Sequence, residues 1–425
     1  MVRGGFLPCL APEPPNGGER AAAGAATLPP PEVRRAGVAL ASPGASGATA
    51  ARAPLTEGQK QIWALATLDE EGGRAYNQSV AIHLRGPLSH EALAASLQKV
   101  VARHEALRAT FSPDGDYQEI APAVEIPVPV LDLTRQRDSE REAEAARLLG
   151  ELGREAFDCA HGPLLRARLL RLASDHHVFA LTMHHIVSDG WSMGIILREL
   201  EEFYAAERSG RPVSLRPPDS FVEYALSEAA RRSGPEAEEA ERYWLGQFAP
   251  PLPPTLGLPT DRPRSAVQTY VGAQQHMALD DELYLALKRL SASLGCTLFM
   301  TLLAGFKVLL HHLTGEQDIV VGTPSAGQLA AESFNLVGYC VNLLPLRSRI
   351  MGQMTFAEYL GSLKRILSGA YDHQSYPYGV LLKRLNLPRV PGRSPLVEAI
   401  FNLDHGLPPQ KFFDLEMELR PIHNG

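Results

Sequence analysis

The stretch from Val178 to Arg208 constrains this chain most. Val178 to His184 is an apolar run of strand length that ends in Met183-His184-His185. Met193 to Arg208 then places Ile196, Leu200, Phe203 and Tyr204 on one helical face. A strand passing into an amphipathic helix through a tight loop at Asp189-Gly190 is a unit of mixed α/β architecture.

The same alternation runs along the chain. Thr56 is placed to cap a helix carrying Gln59, Ile62, Trp63 and Ala66 on one side. Ser79 to Leu84 alternates as a strand, and Ser89 caps a helix through Leu93, Leu97, Val100 and Val101 to Arg103-His104. Val124 to Leu131 is extended and Pro-rich, as an edge strand is. An amphipathic helix at 139–153 and a strand from Leu164 to Leu172 follow. Later, helices at 280–294, 297–313 and 355–370 alternate with strands Asp318–Gly322, Val341–Leu346 and Val397–Asn402. Between the halves, Pro250-Pro251-Leu252-Pro253-Pro254 through Pro259 and Pro263 reads as an extended, semi-rigid strap. Residues 1–53 are rich in Ala, Pro, Gly and Arg, contain Pro29-Pro30-Pro31, and lack apolar periodicity, so they are expected to be a disordered tail. The expected organisation is a tail at 1–53, an α/β lobe at 54–225, and a strap with a second α/β lobe at 226–425.

Composition narrows the function. At 425 residues the chain is long enough for about two or three domains. Lys plus Arg at 41 against Asp plus Glu at 48 gives a net charge of −7, which offers neither a nucleic-acid footprint nor a polybasic membrane anchor. No apolar run approaches the ~20 residues of a spanning helix. Cys9, Cys159, Cys296 and Cys340 are far apart and form no C-x-x-C pair, which points to a reducing, cytoplasmic setting. The patch Phe6-Leu7-Pro8-Cys9-Leu10 after Arg3 is too short for a secretory signal.

The histidines at the end of the strand are the sharpest chemical feature. Strand alternation puts His185 on the face of Phe179, Leu181 and Met183, and His184 on the face of Ala180 and Thr182. The two rings therefore cannot readily share one metal ion, and no metal is expected. A neutral imidazole suits an amine or hydroxyl that must lose a proton as it adds to a carbonyl. Asp189 is placed to fix the loop, and Gly190 to allow close backbone approach or positive φ. A structural role for the strand histidine is the alternative reading. His176-His177 and His311-His312 read as surface or helix-end residues.

His184-His185-x-x-x-Asp189-Gly190 resembles the active-site motif of the chloramphenicol acetyltransferase-like acyltransferases. The string His184 to Ser192 resembles condensation domains of nonribosomal peptide synthetases. Further segments resemble that family in its order: Leu55-Thr56-x-x-Gln59-x-x-x-Trp63, Arg103 to Phe111, Phe221 to Ala225, and Leu258 to Arg264. Val337 to Asn342, His373-Gln374-x-Tyr376-Pro377, and Arg393-Ser394-Pro395-Leu396 through Phe401-Asn402 complete the series. The resemblance implies an α/β (α+β) fold of two acetyltransferase-like lobes in a V-shaped pseudo-dimer, with a tunnel between them. It implies amide formation between a donor acyl or peptidyl thioester and an aminoacyl acceptor. Both substrates ride on phosphopantetheine arms of carrier proteins, with no bound cofactor, beside an adenylation domain of the same assembly line. The chain is expected to act as a monomer.

By that resemblance His185 is the catalytic base or amine-orienting group, His184 and Asp189 support it, and Gly190 lines the passage. Asn342 and Ser192 line the tunnel, Ser192 as a possible oxyanion donor, and Trp191 borders it as a packing anchor. Arg103 and Glu105 are expected to form an ion pair. Gln328 stands where many members carry the arginine that partners the motif aspartate, and Tyr339-Cys340 replaces a commoner aromatic pair. The chain stops at Asn424-Gly425, so the last segment of the second lobe is expected to be missing and a sheet edge exposed. Two other functions remain open from sequence: an ester-forming acyltransferase of the same superfamily, and an inactive module that docks carrier proteins.

Overall fold

A computed structural model of the chain describes residues 50–265, 269–388, 390, 392–404 and 411–422. It opens with strand β1 (Ala51–Pro54), helices α1 (Glu57–Leu68) and α2 (Glu70–Ala75), strand β2 (Asn77–Arg85) and helix α3 (His90–Arg103). Strands β3 (Ala109–Phe111), β4 (Tyr117–Ile120) and β5 (Val130–Asp132) precede helix α4 (Asp138–Arg154). The antiparallel pair β6 (Leu165–Arg171) and β7 (His176–His184) leads to helices α5 (Gly190–Ser209), α6 (Phe221–Arg231) and α7 (Pro235–Gln247). Then come α8 (Asp281–Ser293), α9 (Leu298–Thr314), β8 (Asp318–Ala326) and the single turn α10 (Gly327–Ala330). The order closes with β9 (Val341–Arg349), α11 (Phe356–Asp372), α12 (Tyr378–Leu385), β10 (Lys411–Phe412) and β11 (Leu415–Pro421).

The helices begin where a short polar side chain satisfies an orphan amide. Thr56 and Gln59 form a reciprocal capping box at the start of α1. Ser89, Asp280, Thr297 and Thr355 each accept from the backbone amide three residues on, at the starts of α3, α8, α9 and α11.

One sheet runs in the order β10-β11-β2-β7-β6-β5. β7 lies inside it and is buried on both faces. Phe179, Leu181 and Met183 pack with Leu93, Leu97 and Val100 of α3 and Ile195, Ile196 and Leu200 of α5. Val178 and Ala180 pack with Ala145 and Leu152 of α4. Each fully buried Leu, Ile or Phe here stabilises the fold by roughly 1.5–3 kcal/mol. The strand that ends at the histidines is thus clamped between two helical layers. A second core joins Trp244 of α7, Leu303 of α9, Val321, Leu344, and Leu360, Leu363 and Leu367 of α11.

Several expectations are revised. Residues 51–53 belong to β1, which pairs with β4 and buries Ala53, while residues 1–49 lie outside the described residues. Val124–Leu131 pairs only at its end, where Val130–Asp132 runs parallel to β6, because Pro127 and Pro129 have no amide to donate. Around Val397–Asn402 the pairing shrinks to one bridge between Gly322 and Ile400. The Pro-rich strap lies on the second lobe: Arg347 binds the Gln247, Ala249 and Pro251 carbonyls, and Leu256 is buried in that core. Arg103 pairs with Glu199 rather than Glu105, and Glu105 accepts from Ser220 and from the Val222 amide. His177 is buried rather than on the surface. The chain also does not divide at one point, since β11 crosses back to pair with β2 and residues 336–340 pack into first-lobe cores.

Candidate active site

β2 and β7 run antiparallel, with Asn77 opposite His184 and Gln78 opposite Met183. On one face, Asn77 donates to the Gly153 and Glu155 carbonyls at 2.8 and 3.0 Å. His184 is 1% exposed, accepts from the Ile186 amide through Nδ1 at 3.3 Å, and meets Phe157 edge-on. Burial pushes its imidazole down to about 3, so it is neutral at physiological pH.

His185 begins the single 3-10 turn His185–Val187, and its amide donates to the Tyr76 carbonyl at 2.8 Å. Gln59 steadies the turn by donating to the Ile186 carbonyl at 3.2 Å. His185 Nδ1 lies 2.6 Å from the Ser188 carbonyl. A carbonyl only accepts, so Nδ1 carries the proton and Nε2 the lone pair. Nε2 faces the Gln78 amide nitrogen at 3.5 Å. Burial lowers the His185 pKa, opposed by the Ser188 carbonyl and the Asp189 carboxylate. The ring is therefore a neutral base, partly exposed, at the end of β7. Tyr339, from the segment before β9, meets it edge-on with centroids 5.0 Å apart. Tyr339 packs so closely on Gly58 of α1 that a Cβ there would sit 2.7 Å from its ring.

Asp189 is fully buried and caps α5. One carboxylate oxygen accepts from the Ser192 amide at 2.8 Å and the Ser192 hydroxyl at 2.7 Å. The other accepts from Gln328 Nε2 at 2.8 Å and the Cys340 amide at 3.1 Å. The α5 N-terminus adds its positive dipole end. Gln328 thus fills the place of the expected arginine with a neutral donor, and the aspartate ties the start of α5 to α10 and to the segment before β9.

The other sequence candidates fall as follows. The structure encloses Ser192: its hydroxyl contacts Asp189, accepts from the Gly338 amide at 3.0 Å, and is fully buried. It is on no open wall, and its role as an oxyanion donor is withdrawn. Gly338 has φ +155°, and a Cβ there would stand 2.1 Å from Phe221. Gly190 is the first residue of α5 and partly exposed. Trp191 is 6% exposed and donates to the Phe334 carbonyl at 3.2 Å, a packing anchor. Asn342 donates to the Gln374 and Tyr376 carbonyls and accepts from the Tyr378 amide, so it holds the turn before α12. Gln78, Ser188 and Tyr339 border His185 without having been singled out for it: Gln78 comes from a strand 107 residues away and Tyr339 from the segment before β9, neither leaving a local pattern, and Ser188 acts through its backbone. Among the described residues, no group of three or more His, Cys, Asp or Glu side chains is placed to hold a metal ion.

A neutral, partly exposed imidazole at the end of β7, four residues before a buried aspartate that binds Gln328 and the Cys340 amide, is the arrangement that the sequence resemblance leads one to expect. The chain belongs to the condensation-domain family, whose profile matches residues 49–417. It is 40% identical over 375 residues to one of the linear gramicidin synthase proteins of Brevibacillus parabrevis, covering 88% of this chain and 5% of that protein. The chain thus spans about a twentieth of that relative's length. The first condensation domain of the CDA synthetase superposes with a TM-score of 0.71 at 26% identity, over 88% of this chain and 87% of that one. The X-domain from teicoplanin biosynthesis superposes with a TM-score of 0.76 at 27% identity, over 88% and 82%.

Proposed function

We propose that the chain joins a carrier-bound acyl or peptidyl thioester to the amine of a carrier-bound amino acid. The observation that carries this is the hold on His185: with Nδ1 2.6 Å from the Ser188 carbonyl, Nε2 keeps a lone pair whose contact, with the Gln78 amide nitrogen, is long at 3.5 Å. The acceptor amine attacks the thioester carbonyl carbon, the carbon–sulfur bond breaks, and an amide forms. The ammonium proton passes to Nε2 and on to the departing thiolate, so the imidazole returns neutral. His184 and Asp189 act through position, the first by shaping the turn and the second by holding α5 to distant segments. Donor and acceptor carrier proteins, each with a phosphopantetheine arm, and a neighbouring adenylation domain are the partners this reading requires.

Presenting the chain with a donor-loaded carrier and, separately, aminoacyl- and hydroxyacyl-loaded acceptor carriers tests it. Mass spectrometry should find the amide on the acceptor carrier well ahead of any ester. Ester with no amide would transfer the reading to an ester-forming enzyme. Binding of both carriers without either product would leave only a docking module.

A further inference from the structure

His185 is held at both ring nitrogens, and one holder has no role in the reading above. Gln78 enters from β2, in the strand register beside Met183. Its carbonyl oxygen accepts from the Ser188 hydroxyl at 3.0 Å. Ser188 also supplies the carbonyl that fixes Nδ1–H of His185 at 2.6 Å. The same residue therefore orients the imidazole through its backbone and the Gln78 amide through its hydroxyl.

The tautomer decides which way the amide faces. With the proton on Nδ1, Nε2 is an acceptor, and only the nitrogen end of Gln78 can face it without lone-pair repulsion. The 3.5 Å separation is at the long limit of a hydrogen bond, so the contact is weak and easily displaced. The flanking residues of β2 turn elsewhere: Asn77 to the Gly153 and Glu155 carbonyls, Ser79 to Thr182. A glutamine that only satisfied the Ser188 hydroxyl would have no need to aim its nitrogen at the ring.

We propose that Gln78 is a positioning residue for the acyl-transfer step, its amide nitrogen holding the Nε2 lone pair in line until the acceptor amine takes its place. This rests on His185 as the base. Displacement of a weak contact then delivers the amine to a ring already in the right tautomer and angle. Other groups facing the ring do not take over this task. His184 and Asp189 sit on the inner side of the motif, and burial keeps the Tyr76 and Tyr339 phenols protonated.

Three variants test it: Gln78→Glu, Gln78→Leu and His185→Ala, each in the full chain with loaded carriers. Gln78→Glu sets a carboxylate against Nε2 and favours imidazolium. It should raise the His185 pKa, read by NMR from the ring Cε1–H, by about one unit or more, and move the acidic limb of the pH–rate profile by the same amount. Gln78→Leu should slow single-turnover transfer about 10-fold at saturating acceptor, with the acceptor KM within about twofold and the thermal midpoint retained. An unmoved His185 pKa in Gln78→Glu overturns the proposal, with or without turnover. So does a Gln78→Leu rate within about twofold of wild type. If His185→Ala abolishes transfer while the Gln78 variants behave as wild type, only the Gln78 assignment falls. If His185→Ala transfers normally, the assignment of the base falls and this one with it.

Discussion

The end of β7 and the start of α5 are one turn apart, yet they are built for opposite tasks. At the strand end His185 is partly exposed, its Nδ1 fixed at 2.6 Å by the Ser188 carbonyl and its lone-pair nitrogen in a long 3.5 Å contact. At the helix start Asp189 is fully buried and accepts four hydrogen bonds, two from its own helix turn and two from Gln328 and Cys340, far along the chain. On the proposed reading His185 exchanges protons with a substrate and so cannot be saturated, whereas Asp189 holds α5 to distant segments and cannot be left open. The motif places one of each within five residues, so the buried aspartate also sets the place of the proposed base.

Asp189→Ala breaks that comparison most severely. Four donors lose their acceptor in a closed site, and urea denaturation should show a loss of about 3–5 kcal/mol. A loss below about 1 kcal/mol would mean that these donors find other partners once the carboxylate is gone.

Lys307 of α9 extends the comparison to the second lobe. Its ammonium is fully buried among acceptors: the Ile319 and Leu346 carbonyls and the Ser348 hydroxyl. Burial pushes it down to about 7 from an ordinary 10.5, with Asp318 opposing. Below about 7 the folded chain carries the full cost of a buried charge. Between 7 and 10.5 the unfolded chain binds more protons than the folded one, so stability from this group rises with pH. The stability of wild type relative to Lys307→Met should therefore increase from pH 7 to pH 9, by an amount on the order of 2 kcal/mol. A difference that stays flat over that interval would show that the amine remains charged in the fold.

Gln328→Leu is the milder cut. It removes one of Asp189's four donors, and thermal unfolding should register a loss of about 1–3 kcal/mol. Gln328→Arg should do no worse than wild type if the site accepts the charge found in many family members. A fully destabilised Gln328→Arg would show that the pocket is shaped around the neutral amide.

How much of this was legible in the sequence follows from the range of the interactions. Thr56 and Ser89 were legible as caps because capping reaches only three residues. β7 and its histidines were legible because burial on both faces leaves a continuous apolar run. Alternation describes His184, which lies opposite Asn77, whereas His185 stands past the end of β7 in a 3-10 turn and is oriented by the Ser188 carbonyl and Gln78. β1 was hidden because Ala51–Pro54 has the composition of the tail before it. The return of β11 to β2 was hidden because its partner lies more than 300 residues upstream. Arg103 was given the nearest acid, whereas its partner Glu199 comes from α5. Ser192 looked free to line a passage because nothing local shows Gly338 folding over it.

The most direct test of the division between base and tie is His185→Ala, read by single-turnover transfer between loaded carriers and by thermal unfolding of the same sample. The account predicts a rate reduced about 10²–10⁴-fold with the unfolding midpoint and carrier binding preserved. Undiminished transfer, or a collapse in stability like that of Asp189→Ala, would contradict it.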